Sequence, residues 1–153
     1  MSRSFGLSTF FRIFVPQYND DHMQNPLTLN PSMADTSLLP PFVDEAAAAA
    51  GISDKEAKRL LLAVEEAVAN VINYGQATAI TLHAREAGDR LVLTIDDDGL
   101  PFDPTQGSTT DLSLPPDQRP PGGMGIILMH HMSDGLKYQR VDGHNILRIE
   151  KLK

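Results

Sequence analysis

The chain has 153 residues, 41% hydrophobic and 22% charged, which is the composition of an ordinary soluble protein with one domain. Its formal net charge of -7 argues against binding to nucleic acid through phosphate contacts. The absence of cysteine excludes disulfide bonds, thiolate metal sites and a cysteine nucleophile. No apolar run approaches the roughly 20 residues of a membrane span, so we expect a cytoplasmic protein without a membrane partner.

The first 23 residues are expected to contribute little to function. Their apolar content raises the question of a signal peptide, but Arg12 interrupts the apolar stretch and no small-residue cleavage site follows. We interpret residues 1–23 as a disordered or non-native extension, with Met23 as a candidate true start. Residues 24–153 then form the functional domain.

The next part of the chain predicts an edge strand and two helices. Prolines punctuate residues 26–41, which leaves Leu27–Leu29 as a short edge strand. A helix is predicted over residues 42–50, ended by a glycine. A second helix is predicted from Ser53, where Glu56 completes the pattern of a capping box, to about Tyr74.

The second half of the chain predicts two hairpins separated by a loop and a helix. Residues 79–85 and 91–97 have β character, and apolar and polar residues alternate in the second of these segments. Residues 136–141 and 145–152 predict a last hairpin around Asp142 and Gly143. Residues 103–121 are rich in proline and poor in core-forming residues, as in a lid or binding loop. A third helix follows over residues 125–132. This order predicts an α+β two-layer sandwich, with one mixed or antiparallel sheet covered on one face by helices.

The second helix carries three polar side chains on one predicted face. Glu66, Asn70 and Asn73 stand at i, i+4 and i+7 of a helix that is otherwise apolar nearly all round. This stripe could be a solvated edge, but asparagine is a mediocre helix former. Amide and carboxylate oxygens are ligands that Mg²⁺ prefers, and a glutamate one turn away could act as a general base.

Two glycine-containing turns are the other candidates for chemistry. The strand ending in Asp97 leads into Gly99, where a carboxylate could accept a hydrogen bond from an exocyclic amine while glycine admits a flat ring. A polar turn would also explain this pattern. Residues 122–125 open the third helix with three glycines around Met124, and backbone N–H groups at a helix start bind anions. A lid hinge is compatible with that interpretation. Arg119, just upstream, could reach a phosphate or remain solvated.

In order and spacing, these fragments resemble the anti-sigma-factor serine kinases of the GHKL (Bergerat-fold) ATPase superfamily. Residues 62–70 look like the N box of that family, residues 97–104 like its first glycine box, and residues 122–129 like its second. The end of the chain, residues 143–151, is similar to the closing strand. The resemblance covers about residues 26–152.

The resemblance implies a role for each matching residue and a set of partners. Glu66 would be the general base and Asn70 the Mg²⁺ ligand, while Asp97 would hold the adenine amino group above Gly99. The ATP-binding set is completed by Asn73, Gly122, Gly123, Met124 and Gly125. The resemblance further implies a homodimer that binds a sigma factor and phosphorylates a serine or threonine on an antagonist, or anti-anti-sigma, protein.

Two positions depart from the family pattern, and a second function remains open. Tyr74 stands where the family often has histidine, and Asn145 stands where it usually has a hydroxyl residue near the start of the last strand. Neither change abolishes a nucleotide site. The alternative is a nucleotide-gated binding protein that sequesters a regulator without kinase activity.

Overall fold

The computed structural model describes residues 23–107, 112–119 and 123–153. The predicted extension therefore lies outside the described residues, apart from Met23, and so do Gly122 and part of the predicted lid. The described residues form five strands and three α-helices. In chain order these are β1 (Leu27–Leu29), α1 (Leu39–Ala50), α2 (Asp54–Asn70), β2 (Ile80–Ala87), β3 (Arg90–Asp97), α3 (Gly123–Met132), β4 (Gly135–Val141) and β5 (His144–Leu152).

The five strands form one antiparallel sheet in the order β1-β2-β3-β5-β4. Buried apolar side chains alternate along the central strands, as with Leu91, Leu93 and Ile95 of β3. These side chains pack against α1, α2 and the Met129 side chain of α3 in a single core. The predicted α+β architecture, with helices on one face of the sheet, is confirmed.

Helix α1 begins at Leu39, three residues before its predicted start, because Pro40 and Pro41 lie in its first turn. Proline is favoured at that position, since the first N–H groups of a helix have no partner inside it. The helix ends at Gly51 in the left-handed conformation, with φ of 74°. The predicted end of the helix at a glycine is therefore confirmed. The predicted start is wrong, because the prolines belong to the beginning of the helix and not to the loop before it.

Helix α2 begins as predicted and ends differently. The Ser53 hydroxyl accepts a hydrogen bond from the Glu56 backbone N–H at 3.3 Å, which satisfies one free donor of the first turn. The prediction of one helix to about Tyr74 is wrong in its last turn. The α-helix ends at Asn70, and Val71–Gly75 form a π-helical turn, a feature that often occurs at functional sites.

The described residues of the predicted lid contain two short 3₁₀ turns, at Pro104–Gln106 and Pro116–Gln118. Its first turn is held by Asp103, whose carboxylate accepts a hydrogen bond from the Thr105 backbone N–H at 2.8 Å.

Within the part of the chain that is described, none of the helices has the length and apolar character needed to span a membrane.

Candidate functional site

Helix α2 presents Glu66 and Asn70 to the first turn of α3. The absence of a side chain at Gly125 permits this contact, since a Cβ placed there would lie 2.6 Å from Glu66 Oε2 and 3.8 Å from Asn70 Nδ2. Gly125 is buried and Glu66 is half-buried. The structure therefore brings the polar pair of α2 against the glycine-rich beginning of α3, although 55 or more residues separate them in the chain.

The Asn70 side chain is buried, and one of its polar atoms lacks a hydrogen-bond partner among the described residues. It is 9% exposed, and its Nδ2 has no hydrogen-bond partner among the described residues. A buried amide group without a partner costs roughly 1 to 3 kcal/mol. Such an unpaired N–H donor beside a glycine-rich helix start fits a site that an acceptor on a bound ligand, such as a phosphate oxygen, completes.

Asn73 differs from this pair in its exposure and in its local structure. It is exposed and belongs to the π-helical turn, where the α-helical register that predicted one shared face no longer holds. Its assignment to a ligand site stays a prediction.

Asp97 is the only buried residue among three consecutive aspartates at the end of β3. It is 4% exposed, and its Oδ1 accepts hydrogen bonds from the Gly99 backbone N–H at 2.9 Å and from Asn145 Nδ2 at 3.0 Å. Burial raises the pKa of Asp97, an effect opposed by these two hydrogen bonds and by the positive charge of Arg140. The charge of Asp96 adds to the increase.

Asp96 and Asp98 have other partners. The Asp96 carboxylate contacts His144 Nδ1 at 2.6 Å. Asp98 accepts hydrogen bonds from the backbone N–H groups of Thr78 and Ala79 at 2.7 and 3.2 Å, and from the Thr78 hydroxyl. The Thr78 hydroxyl and backbone bonds lower the pKa of Asp98 to about 2. This division of roles leaves Asp97 as the carboxylate that faces the protein interior.

Gly99 lies directly against the end of the π-helical turn. A Cβ on Gly99 would be 2.5 Å from the Gly75 carbonyl oxygen, and the neighbouring Leu100 N–H donates to that same oxygen at 2.7 Å. The glycine is therefore required by close backbone approach, without any unusual φ angle. This contact joins the π-helical turn that follows α2 to the turn after β3, which places Asn70 and Asp97 on connected segments.

The remaining predicted residues lie along the lid and the first turn of α3. Gly123 is the first residue of α3, and Met124 is exposed. Gly122 lies outside the described residues. The Arg119 guanidinium donates to the carbonyl oxygens of Leu114 and Leu112 at 2.8 and 3.0 Å, and its Nη1 lies 3.6 Å from Met124 Sδ. Arg119 thus holds together the lid segment 112–119 and contacts the first turn of α3.

Two residues that sequence reasoning did not place in the site support the turn after β3. Arg140 Nη1 donates to the Gly99 carbonyl oxygen at 2.8 Å. Asn145 was noted only as a departure from a family pattern, yet it contacts Asp97 directly. The pairing of Asp97 with Asn145 in the register of β3 and β5 is the signal that could have found it, had the strand order been known.

The histidines of the described residues do not form a metal site. In the described segments, no group of three or more histidine, aspartate or glutamate side chains is arranged to hold a metal ion. His130 Nε2 instead contacts the Pro104 carbonyl oxygen at 3.0 Å. Mg²⁺ commonly takes only one or two protein ligands and completes its shell with water and phosphate. The Asn70 amide and the Gly125 cradle fit that kind of binding.

Comparison with known proteins finds relatives of this chain in sequence and in fold. A curated relative, the serine/threonine-protein kinase BtrW of Bordetella bronchiseptica, is 37% identical over 94 residues, which cover 59% of this chain and 66% of the relative. A solved structure of the RsbU and RsbW domains of Rv1364c from Mycobacterium tuberculosis matches the fold with a TM-score of 0.58 at 15% identity. That match covers 84% of this chain and 32% of the solved chain.

The chain thus spans just under two thirds of the curated relative and about a third of the solved chain. A family model described as the histidine kinase-like ATPase domain matches residues 31–151, nearly the whole described fold. The matched range contains α2, the turn after β3 and the start of α3. This chain belongs to the histidine kinase-like ATPase domain family.

Proposed function

We propose that this protein is an ATP-dependent serine/threonine kinase that phosphorylates an antagonist protein and binds the sigma factor which that antagonist releases. The proposal includes Mg²⁺ as the metal and a homodimer as the working form. The observation that carries it is the contact of Glu66 with Gly125 at the beginning of α3, with Asn70 beside both. A relative named as a serine/threonine-protein kinase, 37% identical, supports this direction.

The two halves of the site would bind opposite ends of ATP. The buried Asp97 carboxylate, beside Gly99, has the chemistry to accept a hydrogen bond from the exocyclic amine of adenine. The first turn of α3, with Gly123, Met124 and Gly125, offers backbone N–H groups to phosphate oxygens. Asn70 would hold Mg²⁺, which neutralises phosphate charge when it is bound.

Glu66 would act in the transfer step itself. Its carboxylate would accept the proton of the substrate hydroxyl while that oxygen bonds to the terminal phosphorus of ATP and the bond from that phosphorus to ADP breaks. Such a base must lie within hydrogen-bond reach of the hydroxyl. The position of Glu66 at the phosphate end of the site, half-buried and one helical turn from Asn70, supports this role.

The test is transfer of labelled phosphate from ATP to the cognate antagonist protein, isolated by its binding to this chain. We expect Glu66→Gln to keep ATP affinity within about twofold and to lower transfer by at least about 100-fold, the lower end of the contribution of a general base. Glu65→Gln is the matched control, because it removes the neighbouring carboxylate of the same helix. It should retain wild-type transfer.

Equal transfer by wild type and Glu66→Gln would remove Glu66 from the catalytic role. Failure of the wild type to label any antagonist, with ATP binding intact, would favour a nucleotide-gated protein that sequesters a regulator. Loss of transfer in both glutamate variants would mean that the assay reports damage to α2 in general.

A further inference from the structure

Both the nitrogen and the oxygen of the Asn145 side-chain amide form hydrogen bonds to other residues of the protein. Its Nδ2 donates to Asp97 Oδ1 at 3.0 Å and to the Leu100 carbonyl oxygen at 2.8 Å. Its Oδ1 accepts from the Tyr138 hydroxyl at 2.6 Å and from the Phe102 backbone N–H at 3.3 Å. With 5% of its surface exposed, the side chain has no hydrogen-bonding capacity left for a ligand.

These contacts fix the Asp97 carboxylate in one orientation. Both hydrogen bonds that Asp97 receives in the described structure go to Oδ1, one from Asn145 and one from the Gly99 backbone N–H. The other oxygen, Oδ2, is left as the acceptor for an incoming donor. The same amide also holds Leu100 and Phe102, so the turn after β3 and the carboxylate are set by one side chain.

We propose that Asn145 is a positioning residue that aims Asp97 Oδ2 at an exocyclic amine and so makes the site selective for an amino-purine. This proposal rests on the proposed function, because it assumes that Asp97 recognises the base of ATP. Asn145 acts through Asp97 and does not touch the nucleotide. A hydroxyl at this position could not make all four contacts, since it carries only one donor hydrogen.

The charges around Asp97 make its ionisation an independent report on Asn145. Asp96 on β3 disfavours the charged carboxylate, while Arg140 on β4 favours it. The hydrogen bond from Asn145 also favours the charged form. Removal of that bond should therefore raise the pKa of Asp97 further above its ordinary value, in the protein without nucleotide.

The experiment compares ATP with purine riboside triphosphate, which lacks the exocyclic amine, by titration calorimetry on the full chain. We expect Asn145→Ala to weaken ATP binding by about 10- to 100-fold, the effect of losing a hydrogen bond to a charged group. Binding of purine riboside triphosphate should change by less than about twofold. Asn145→Thr, which keeps one donor, should give an intermediate ATP affinity.

His144→Ala is the matched control, because it removes the neighbouring side chain of β5 and its contact with Asp96 while leaving Asn145 in place. It should keep wild-type affinity for both nucleotides. Equal losses of ATP and purine riboside triphosphate in Asn145→Ala, or unchanged ATP affinity, would overturn the proposal.

A titration of the Asp97 carboxyl by NMR separates this proposal from the proposed function. A higher pKa in nucleotide-free Asn145→Ala and Asn145→Thr than in the wild type supports the positioning role, and an unchanged pKa overturns it. If the wild type binds no ATP, the proposed function fails. The titration then still decides whether Asn145 holds the carboxylate.

Discussion

Gly125 leaves room for Glu66 at the beginning of α3. A methyl group there would meet Glu66 Oε2 at 2.6 Å, and the Glu66 carboxylate is the flexible end of a half-buried side chain. The side chain can move aside without disturbing the backbone. A substitution at Gly125 should therefore affect the position of the carboxylate more than the stability of the fold.

We expect Gly125→Ala to change the free energy of unfolding by less than about 1 kcal/mol, since alanine is the better helix former. Phosphate transfer should fall by about 100-fold, because displacement of a reacting group by an ångström has an effect of that order. Kinetic measurements on Gly125→Ala, Glu66→Gln and the double variant test this. Fully additive losses would contradict the idea that Gly125 acts through Glu66.

At the residue scale, the sequence was sufficient to select Asp97 but not to predict the contacts of Asn145. Asp97 could be chosen among three aspartates because glycine follows it by two residues, and the structure shows that only Asp97 is buried among them. The four hydrogen bonds of Asn145 could not be predicted, because its partners lie up to 48 residues away in the chain. They depend on the pairing of β3 with β5.

At the scale of elements, the π-helical turn that follows α2 and the turn after β3 meet at two glycines. A Cβ on Gly99 would lie 2.5 Å from the Gly75 carbonyl oxygen, which is backbone and cannot turn away. A Cβ on Gly75 would meet only the Val71 side chain, at an ordinary 3.4 Å. The two sides of one contact therefore differ in their tolerance of a methyl group.

We expect Gly99→Ala to destabilise the protein by about 1 to 3 kcal/mol, because overpacking forces the backbone to shift. ATP affinity should fall with it, since the shift moves the turn that carries Asp97. Gly75→Ala is the matched control and should change stability by less than about 0.5 kcal/mol. Chemical unfolding of both variants checks this, and equal stability losses would contradict the account of the contact.

Element boundaries followed from the sequence wherever one local signal decided them. The alternation of apolar residues placed all four predicted strands within one or two residues, because side chains of a strand point to opposite faces. The predicted start of α1 was too late, because its two prolines were assigned to the preceding loop although proline fits the first turn of a helix. The π-helical turn at Val71–Gly75 has no periodic signal, since it is set by the tertiary contact with Gly99.

At the scale of the whole molecule, α3 is fixed at its C-terminal end and faces the site with its other end. Arg59 Nη2 donates to the His131 carbonyl oxygen at 3.0 Å, and Lys151 Nζ donates to the Met132 carbonyl oxygen at 3.3 Å. Lys151 is buried and also pairs with Glu56 and Asp134. Cations are favourable at the C-terminal end of a helix, and here they join α3 to α2 and β5.

The order of elements was the strongest global information in the sequence. Two hairpins separated by a loop and a helix indicated one sheet with helices on one face, and hydrophobic patterning sufficed for that prediction. The strand order β1-β2-β3-β5-β4 places the last hairpin beside β3, a long-range pairing that no local pattern records. It is this pairing that brings Asn145 and Arg140 to the turn after Asp97.

The central claim is that Asp97, Asn70 and the start of α3 form one Mg-ATP site, and thermal unfolding of the full chain tests it most directly. At 100 times the dissociation constant, ATP with Mg²⁺ should raise the melting temperature by about 5 to 10 °C. The shift should shrink with EDTA or in Asn70→Ala, and disappear in Asp97→Asn. A wild-type melting temperature that is the same with and without Mg-ATP would contradict the account.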